Sequence, residues 1–101
     1  MTQIGVFLRF VAQDGQKEAL LKHLLETAKI ASQEPGTKLW TVHSSPIEPN
    51  TIWVYEAYAD EQAKERHELS SAYASARSKT RTLLAHPPQA FPLIPVGGKG
   101  L

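Results

Sequence analysis

The chain has 101 residues, a formal net charge of +1 and no cysteine. This length is that of one domain, and the balanced charge lacks the basic stripe of a nucleic-acid-binding protein. The absence of cysteine excludes disulfides, thiol nucleophiles and cysteine metal sites.

The first part of the sequence predicts a strand followed by a helix. Gln3–Ala12 is a strand, too short to cross a bilayer and without a basic leader, so we expect a cytoplasmic protein with no membrane partner. Asp14 and Gly15 turn the chain and offer a cap for a helix from about Gln16 to Ser32. The apolar arc of that helix, which should lie on a sheet, consists of Leu20, Leu21, Leu24, Leu25, Ala28 and Ala31.

Two further strands follow, at Lys38–Ser44 and Thr51–Tyr58, joined by a proline-containing loop of hairpin type. The second of these is apolar on both faces, whereas a half-buried strand usually alternates apolar with polar residues. Ile52, Val54 and Tyr58 point to one side, and Trp53, Tyr55 and Ala57 point to the other.

The last third predicts a helix capped by Asp60, running from Glu61 to about Ser70, with a further helical run over Ala72–Ala85. A final strand is indicated by Phe91, Leu93, Ile94 and Val96. Pro92 and Pro95 each remove a backbone donor, which confines this strand to a sheet edge or an irregular arm. We expect one domain over residues 1–96 and a flexible tail over residues 97–101.

The order strand, helix, strand, strand, helix, strand predicts an α+β fold of the ferredoxin-like βαββαβ type. In this plait a four-stranded antiparallel sheet carries its helices on one face. The other face would expose Trp53, Tyr55 and apolar residues of the first two strands. Burying such side chains is favourable, so we expect a homodimer whose sheets pack face to face.

One histidine is placed for chemistry. On an ideal helix, His67 shares the inward face with small residues, which suggests a pocket beneath that helix, floored by the third strand with Glu56 and Tyr58. His67 is then either a base that takes a proton from a bound phenol or quinol, or a structural group bonded to Glu56 or a carbonyl. Glu56 is either its partner or a structural anchor, because a buried carboxylate is costly unless paired.

Other residue types give weaker signals. The aromatic residues either line a planar ligand or form ordinary core; they are Trp40, Trp53, Tyr55, Tyr58 and Tyr73. The remaining histidines, which are expected to be solvated, are His23, His43 and His86. The histidine spacings match no metal motif, and no glycine-rich nucleotide fingerprint is present.

Several short segments together resemble the antibiotic biosynthesis monooxygenase domain family, of the quinol-monooxygenase-like group. The resemblance extends over nearly the whole chain. It is carried by Glu34-Pro-Gly-Thr37, Trp40-Thr-Val42, Val54-Tyr-Glu56-Ala-Tyr58, Asp60-Glu61-x-Ala63, His67-x-x-Ser70 and Pro95-Val-Gly-Gly98.

The resemblance implies a dimeric α/β barrel and, in oxygenase members, oxidation of phenols or quinols by O2 without metal, flavin or haem. A deprotonated polycyclic phenol is electron-rich enough to react with O2, so the protein need only bind it, take its proton and exclude water. The site hypothesis assigns His67 as the base and Glu56 as the group that orients it. The residues expected to contact the aromatic substrate or shape its cavity are Tyr58, Trp53, Trp40 and Tyr73.

Three other functions share features with this sequence. A non-catalytic dimer could bind a small aromatic compound or assist a pathway enzyme. Haem-degrading relatives carry an asparagine in the first strand, which this chain lacks, and a tryptophan near the position of Tyr58. An RNA-recognition module shares the plait, but its third strand should contain glycine and a basic residue, and WVYEAY has neither.

Overall fold

The computed structural model describes residues 3–101. This part of the chain forms one four-stranded antiparallel sheet with the strand order β2-β3-β1-β4, together with three helices. The elements, in chain order, are β1 (Ile4–Val11), α1 (Lys17–Ala31), β2 (Thr37–Ser44), β3 (Thr51–Tyr58), α2 (Glu61–Leu69), α3 (Ser71–Leu83) and β4 (Gln89–Leu93). The predicted ferredoxin-like α+β fold is therefore confirmed, including the break in the second helical segment.

The helices cover one side of the sheet, here called the helix face. The core on this side contains apolar side chains from β1, β3 and α1, among them Phe10, Ile52, Val54 and Leu20. The opposite side is the open face, which carries the aromatic side chains of Phe7, Trp53, Tyr55 and Phe91 in mutual contact. β3 therefore has two apolar faces, as its sequence predicts, and only one of them is covered by helices.

The two predicted helix caps differ in outcome. Asp60 caps α2 by accepting a hydrogen bond from the backbone N–H of Ala63 at 2.8 Å. The N-cap of α1 is Gln16, which makes no side-chain capping bond. The expectation that Asp14 caps this helix is wrong, because its carboxylate instead accepts a hydrogen bond from the side-chain amide of Asn50 at 3.0 Å.

The buried face of α1 is shifted from the predicted arc. Leu20, Leu24 and Ala31 are buried as expected, but Leu25 is 52% exposed. His23, which was expected to be solvated, is buried and its Nε2 lies 2.9 Å from both the carbonyl oxygen of Ala76 and Oγ1 of Thr80. The reason is that α1 packs against α3 as well as against the sheet, so α3 supplies polar partners that a sheet would not.

β4 lies at the edge of the sheet beside β1, as its prolines predict. It is shorter than the apolar sequence around it, ending at Leu93 before Pro95. Phe91 pairs with Phe7 across the ladder and adds its ring to the open face. In the described part of the chain, no helix has the length and apolar character needed to cross a bilayer.

Candidate functional site

An apolar cavity lies between α3 and the helix face of the sheet. Its volume is about 610 Å³. Its floor comes from β1 and β2 through Leu8, Phe10 and Trp40, and α3 forms its roof. The residues that complete the wall are Leu24, Thr27, Tyr73, Ala76, Arg77, Thr80, Arg81, Leu84, His86, Pro87 and Pro88.

This cavity differs from the pocket predicted beneath α2. Its floor is formed by side chains of β1 and β2 and not of β3, so Glu56 and Tyr58 are absent from its wall. His67, on α2, is absent from the wall as well. The helical segment breaks at Ser70, and the open space lies under α3, its second half. Of the predicted site residues, Trp40 and Tyr73 line the cavity.

His67 belongs to a neighbouring group of polar side chains, here called the polar cluster, which consists of the buried residues Glu56, Tyr58 and His67 and the partly exposed Glu34. The His67 side chain is 1% exposed, and its Nδ1 lies 2.6 Å from Oε1 of Glu34. A carboxylate accepts hydrogen bonds, so this contact assigns the ring proton to Nδ1. Nε2 of His67 is buried and has no hydrogen-bond partner among the described residues.

Glu56 is held by Tyr58, whose hydroxyl donates to its Oε1. Burial raises the pKa of Glu56, while the hydrogen bond from Tyr58 and the charge of His67 act in the opposite direction. Its second oxygen, Oε2, is buried and lacks a hydrogen-bond partner among residues 3–101. The hydrogen-bonded carboxylate of His67 is thus Glu34, and Glu56 instead pairs with Tyr58.

Tyr73, on α3, connects the cavity to the polar cluster. Its ring centroid is 4.1 Å from that of His67, and the same residue forms part of the cavity wall. The guanidinium carbon of Arg77 lies 5.4 Å from the centre of the Tyr73 ring. Burial raises the pKa of Tyr73 to about 12, so this phenol keeps its proton at neutral pH.

The loop that carries Glu34 is packed tightly on α2. A Cβ atom at Gly36 would lie 2.5 Å from Cβ of Ala63, so only glycine fits between the loop and the helix. The carbonyl oxygen of Gly36 also accepts a hydrogen bond from the backbone N–H of Ala59 at 2.8 Å. These contacts bring Glu34 to the ring of His67.

The remaining predicted site residues lie in two places. Trp40 lines the cavity, and its indole Nε1 is buried with no hydrogen-bond partner in the described chain. Trp53 lies on the open face, where its ring contacts Phe7 and Phe91, and so does not reach the cavity. His43 and His86 are exposed as expected, although His86 also lies at the cavity wall.

Two features were not assigned from the sequence. In the sequence, Glu34 stands out only as part of the segment Glu34-Pro-Gly-Thr37. Its position before a proline that ends the helix is the only local pattern that marks it. The second feature is the pair of arginines Arg77 and Arg81 on α3. Their spacing of one helical turn would place both on the same side of α3, and both contribute to the cavity wall.

The sequence matches the family model described as antibiotic biosynthesis monooxygenase over residues 3–79. The chain belongs to the antibiotic biosynthesis monooxygenase family. The matched residues include the whole polar cluster and Tyr73. No curated protein shows significant sequence similarity to the chain.

Solved structures of similar chains agree with this assignment. A protein of unknown function from Nitrosomonas europaea, NE2512, is 30% identical, with a TM-score of 0.85, over 98% of this chain and 94% of its own. A candidate antibiotic biosynthesis monooxygenase from Chloroflexus aurantiacus J-10-fl is 28% identical, with a TM-score of 0.83, over 97% of both chains. Another from Caulobacter crescentus CB15 is 25% identical, with a TM-score of 0.88, over 95% of this chain and 92% of its own.

Proposed function

We propose that this family member is a monooxygenase that oxidises a phenol-type or quinol-type aromatic compound with O2 and needs no cofactor. One observation carries the proposal: Tyr73 forms part of the cavity wall and packs its ring 4.1 Å from that of His67. A single side chain therefore connects a space for an aromatic ligand to a buried histidine with a free ring nitrogen.

The cavity suits a planar aromatic substrate. Its volume of about 610 Å³ lies within the range of roughly 300 to 1,000 Å³ that is common for small-molecule sites. Its wall is mainly apolar and includes the rings of Phe10, Trp40 and Tyr73. Such a wall binds fused rings through apolar burial and keeps water away from the reacting carbon.

His67 supplies the base in this proposal. The Glu34 carboxylate accepts a hydrogen bond from Nδ1–H, which leaves the lone pair on Nε2 and stabilises the imidazolium formed when Nε2 takes a proton. Tyr73 turns aside when substrate binds, so that the phenol or the acidic C–H reaches Nε2. Because Tyr73 keeps its own proton at neutral pH, it donates a hydrogen bond to the substrate anion and does not compete as a base.

The substrate anion supplies the electrons. It transfers one electron to O2, and the resulting radical pair combines to form a carbon–oxygen bond and a peroxide. The peroxide anion takes back the proton held by His67. Loss of water, which breaks the O–O bond and removes the hydrogen of the attacked ring carbon, then gives a quinone carbonyl, with one oxygen atom in the product and the other in water. The substrate loses four electrons in total, which is the number that O2 accepts, so no external reductant enters the balance.

We also propose that the protein is a homodimer through its open face. Phe7 is 37% exposed and Phe91 is 44% exposed, and both join the aromatic group with Trp53 and Tyr55. Fully burying one such side chain contributes roughly 1.5 to 3 kcal/mol. A second copy of the same face would bury all four rings.

Oxygen uptake with a panel of quinols and anthrones tests the proposed reaction. Uptake above the uncatalysed rate, together with one labelled oxygen atom in the quinone formed under isotopically labelled O2, is the expected result. No enzyme-dependent uptake with any member of the panel, or product oxygen derived from water, would contradict it.

A specific observation favours a second function, that of a non-catalytic aromatic-binding protein. His67 does not form part of the cavity wall, so binding in the cavity does not require it. Tight binding of a polycyclic aromatic compound without any oxygen uptake would support this second function.

A further inference from the structure

We propose that the cavity is specific for an aromatic compound that carries an acidic group, held by Arg77 and Arg81 at its mouth. This proposal rests on the proposed function for the aromatic nature of the substrate and adds its charge. Both arginines are exposed residues of α3 that contribute to the cavity wall. Neither forms an ion pair with any residue in the described part of the chain.

The charged side chains that form the cavity wall are arginines. No acidic side chain contributes to the wall among residues 3–101, whereas two guanidinium groups and His86 do. Unpaired cations beside a low-dielectric space attract an anion, and a guanidinium group matches a carboxylate with two parallel hydrogen bonds. The mouth of the cavity therefore favours a carboxylate over a neutral substituent.

The other polar groups of the wall point to a ligand with hydrogen-bond acceptors. The hydroxyls of Thr27 and Thr80 already donate to the carbonyls of His23 and Ala76. Nε1 of Trp40 is a buried donor without a partner in the described chain, and an indole nitrogen can only donate. The unused groups of Trp40 and the two arginines are thus all donors.

These features divide the ligand into two parts. Fused rings occupy the apolar interior between α3 and the sheet, with a keto or phenolate oxygen available to Trp40. The acidic substituent lies at the open end, where Arg77 and Arg81 contact it and water screens it in part. Arg77 also stacks on Tyr73, so the acidic substituent would lie next to the residue that connects the cavity to His67.

Binding of two stable probes tests the proposal without depending on turnover. An anthraquinone carboxylate and the matching anthraquinone carboxamide have nearly the same shape and differ in charge at neutral pH. The native protein should bind the carboxylate about tenfold more tightly, and added salt should weaken that preference. Equal affinities, tighter binding of the carboxamide, or no binding of the carboxylate would overturn the proposal.

Variants locate the effect. The double variant Arg77→Gln/Arg81→Gln should bind both probes equally, and Arg81→Gln alone should lose part of the preference while leaving the contact between Arg77 and Tyr73 in place. Lys79→Gln is the matched control, because it removes one positive charge from the same helix outside the cavity wall. A preference that persists in the double variant, or that Lys79→Gln removes equally, would overturn the assignment.

The probes separate this inference from the proposed reaction. If the carboxylate preference is present and oxygen uptake is absent, the proposed monooxygenase function fails and the anion specificity remains. If uptake occurs with neutral and acidic quinols equally, and the probes bind equally, the anion specificity fails and the oxygenase function remains.

Discussion

Nδ1 of His67 lies 2.6 Å from Oε1 of Glu34, although the two residues are 33 positions apart in the sequence. The contact joins the loop before β2 to the last turn of α2. It gives the buried histidine a defined tautomer and a negative partner, which are the two requirements for a base that acts at its other nitrogen.

Replacing Glu34 by glutamine should lower kcat about 10-fold to 100-fold with little change in KM, because the base loses its orienting charge while the cavity stays intact. Steady-state oxygen uptake with the best quinol of the panel measures both constants. Glu65→Gln, an exposed charge change on α2, is the control and should behave like the native protein. Full activity in Glu34→Gln would remove this carboxylate from the mechanism.

Replacing His67 by alanine should lower turnover by about 100-fold or more, since a positioned base contributes on this scale. The dimer should remain, because His67 lies on the helix face, away from the open face. Steady-state oxygen uptake and sedimentation measure the two effects, and Glu65→Ala, at an exposed position of the same helix, is the control. Unchanged turnover in His67→Ala would exclude it as the base.

Replacing Glu56 by glutamine should change the pH dependence of stability. Burial raises the pKa of Glu56 above its ordinary value of 4.5, so the folded protein binds the proton more tightly than the unfolded chain. Native stability is therefore lost as pH rises from that value through the raised pKa. Glu56→Gln removes this loss, and its unfolding free energy relative to the native protein should increase over the same interval.

Denaturant unfolding at several pH values measures that difference, with Glu65→Gln as the exposed control. A difference that stays constant with pH, or that decreases as pH rises, would show that burial does not govern the protonation of Glu56.

Replacing His23 by alanine should cost about 2 kcal/mol of unfolding free energy, because a buried side chain that bonds α1 to α3 is lost. Denaturant unfolding measures the change. Lys22→Ala, at the exposed neighbouring position of α1, should stay within about 0.5 kcal/mol. Equal effects of the two substitutions would contradict a structural role for His23.

Replacing Phe91 by aspartate should convert the proposed homodimer into a monomer, because it places a charge among the four rings of the open face. Sedimentation over a range of concentrations measures the mass. Leu25→Asp alters a residue of similar exposure on α1 in the helix layer and should leave the dimer intact. A native protein that is monomeric at every concentration would contradict the dimer itself.

Much of the fold follows from local patterns in the sequence. The period of the apolar residues predicts the strands and helices, and the two prolines in and after β4 predict an edge strand. Asp14 shows the limit of local patterns, because a capping residue type can find a tertiary partner, here Asn50, that the local sequence does not indicate. His23 shows it again, because its burial depends on the distant α3.

The candidate site is predicted less completely. Helical spacing places His67 on an inward face, and the alternation of β3 places Glu56 and Tyr58 on the same side of the sheet. The identity of the histidine partner depends on how the loop after α1 folds back, and no periodicity reports that. The cavity lies under α3 and not, as predicted, under α2. The reason is similar, because local patterns do not show which of the two helices leaves space above the sheet.

The close approach of Gly36 to Ala63 makes the contact between Glu34 and His67 depend on a residue that has no functional group. A methyl group at position 36 would clash with Ala63. The loop would have to move away from α2, and the Glu34 carboxylate would move with it. The position of the Glu34 carboxylate beside the imidazole therefore depends on the absence of a side chain at one position of the loop before β2.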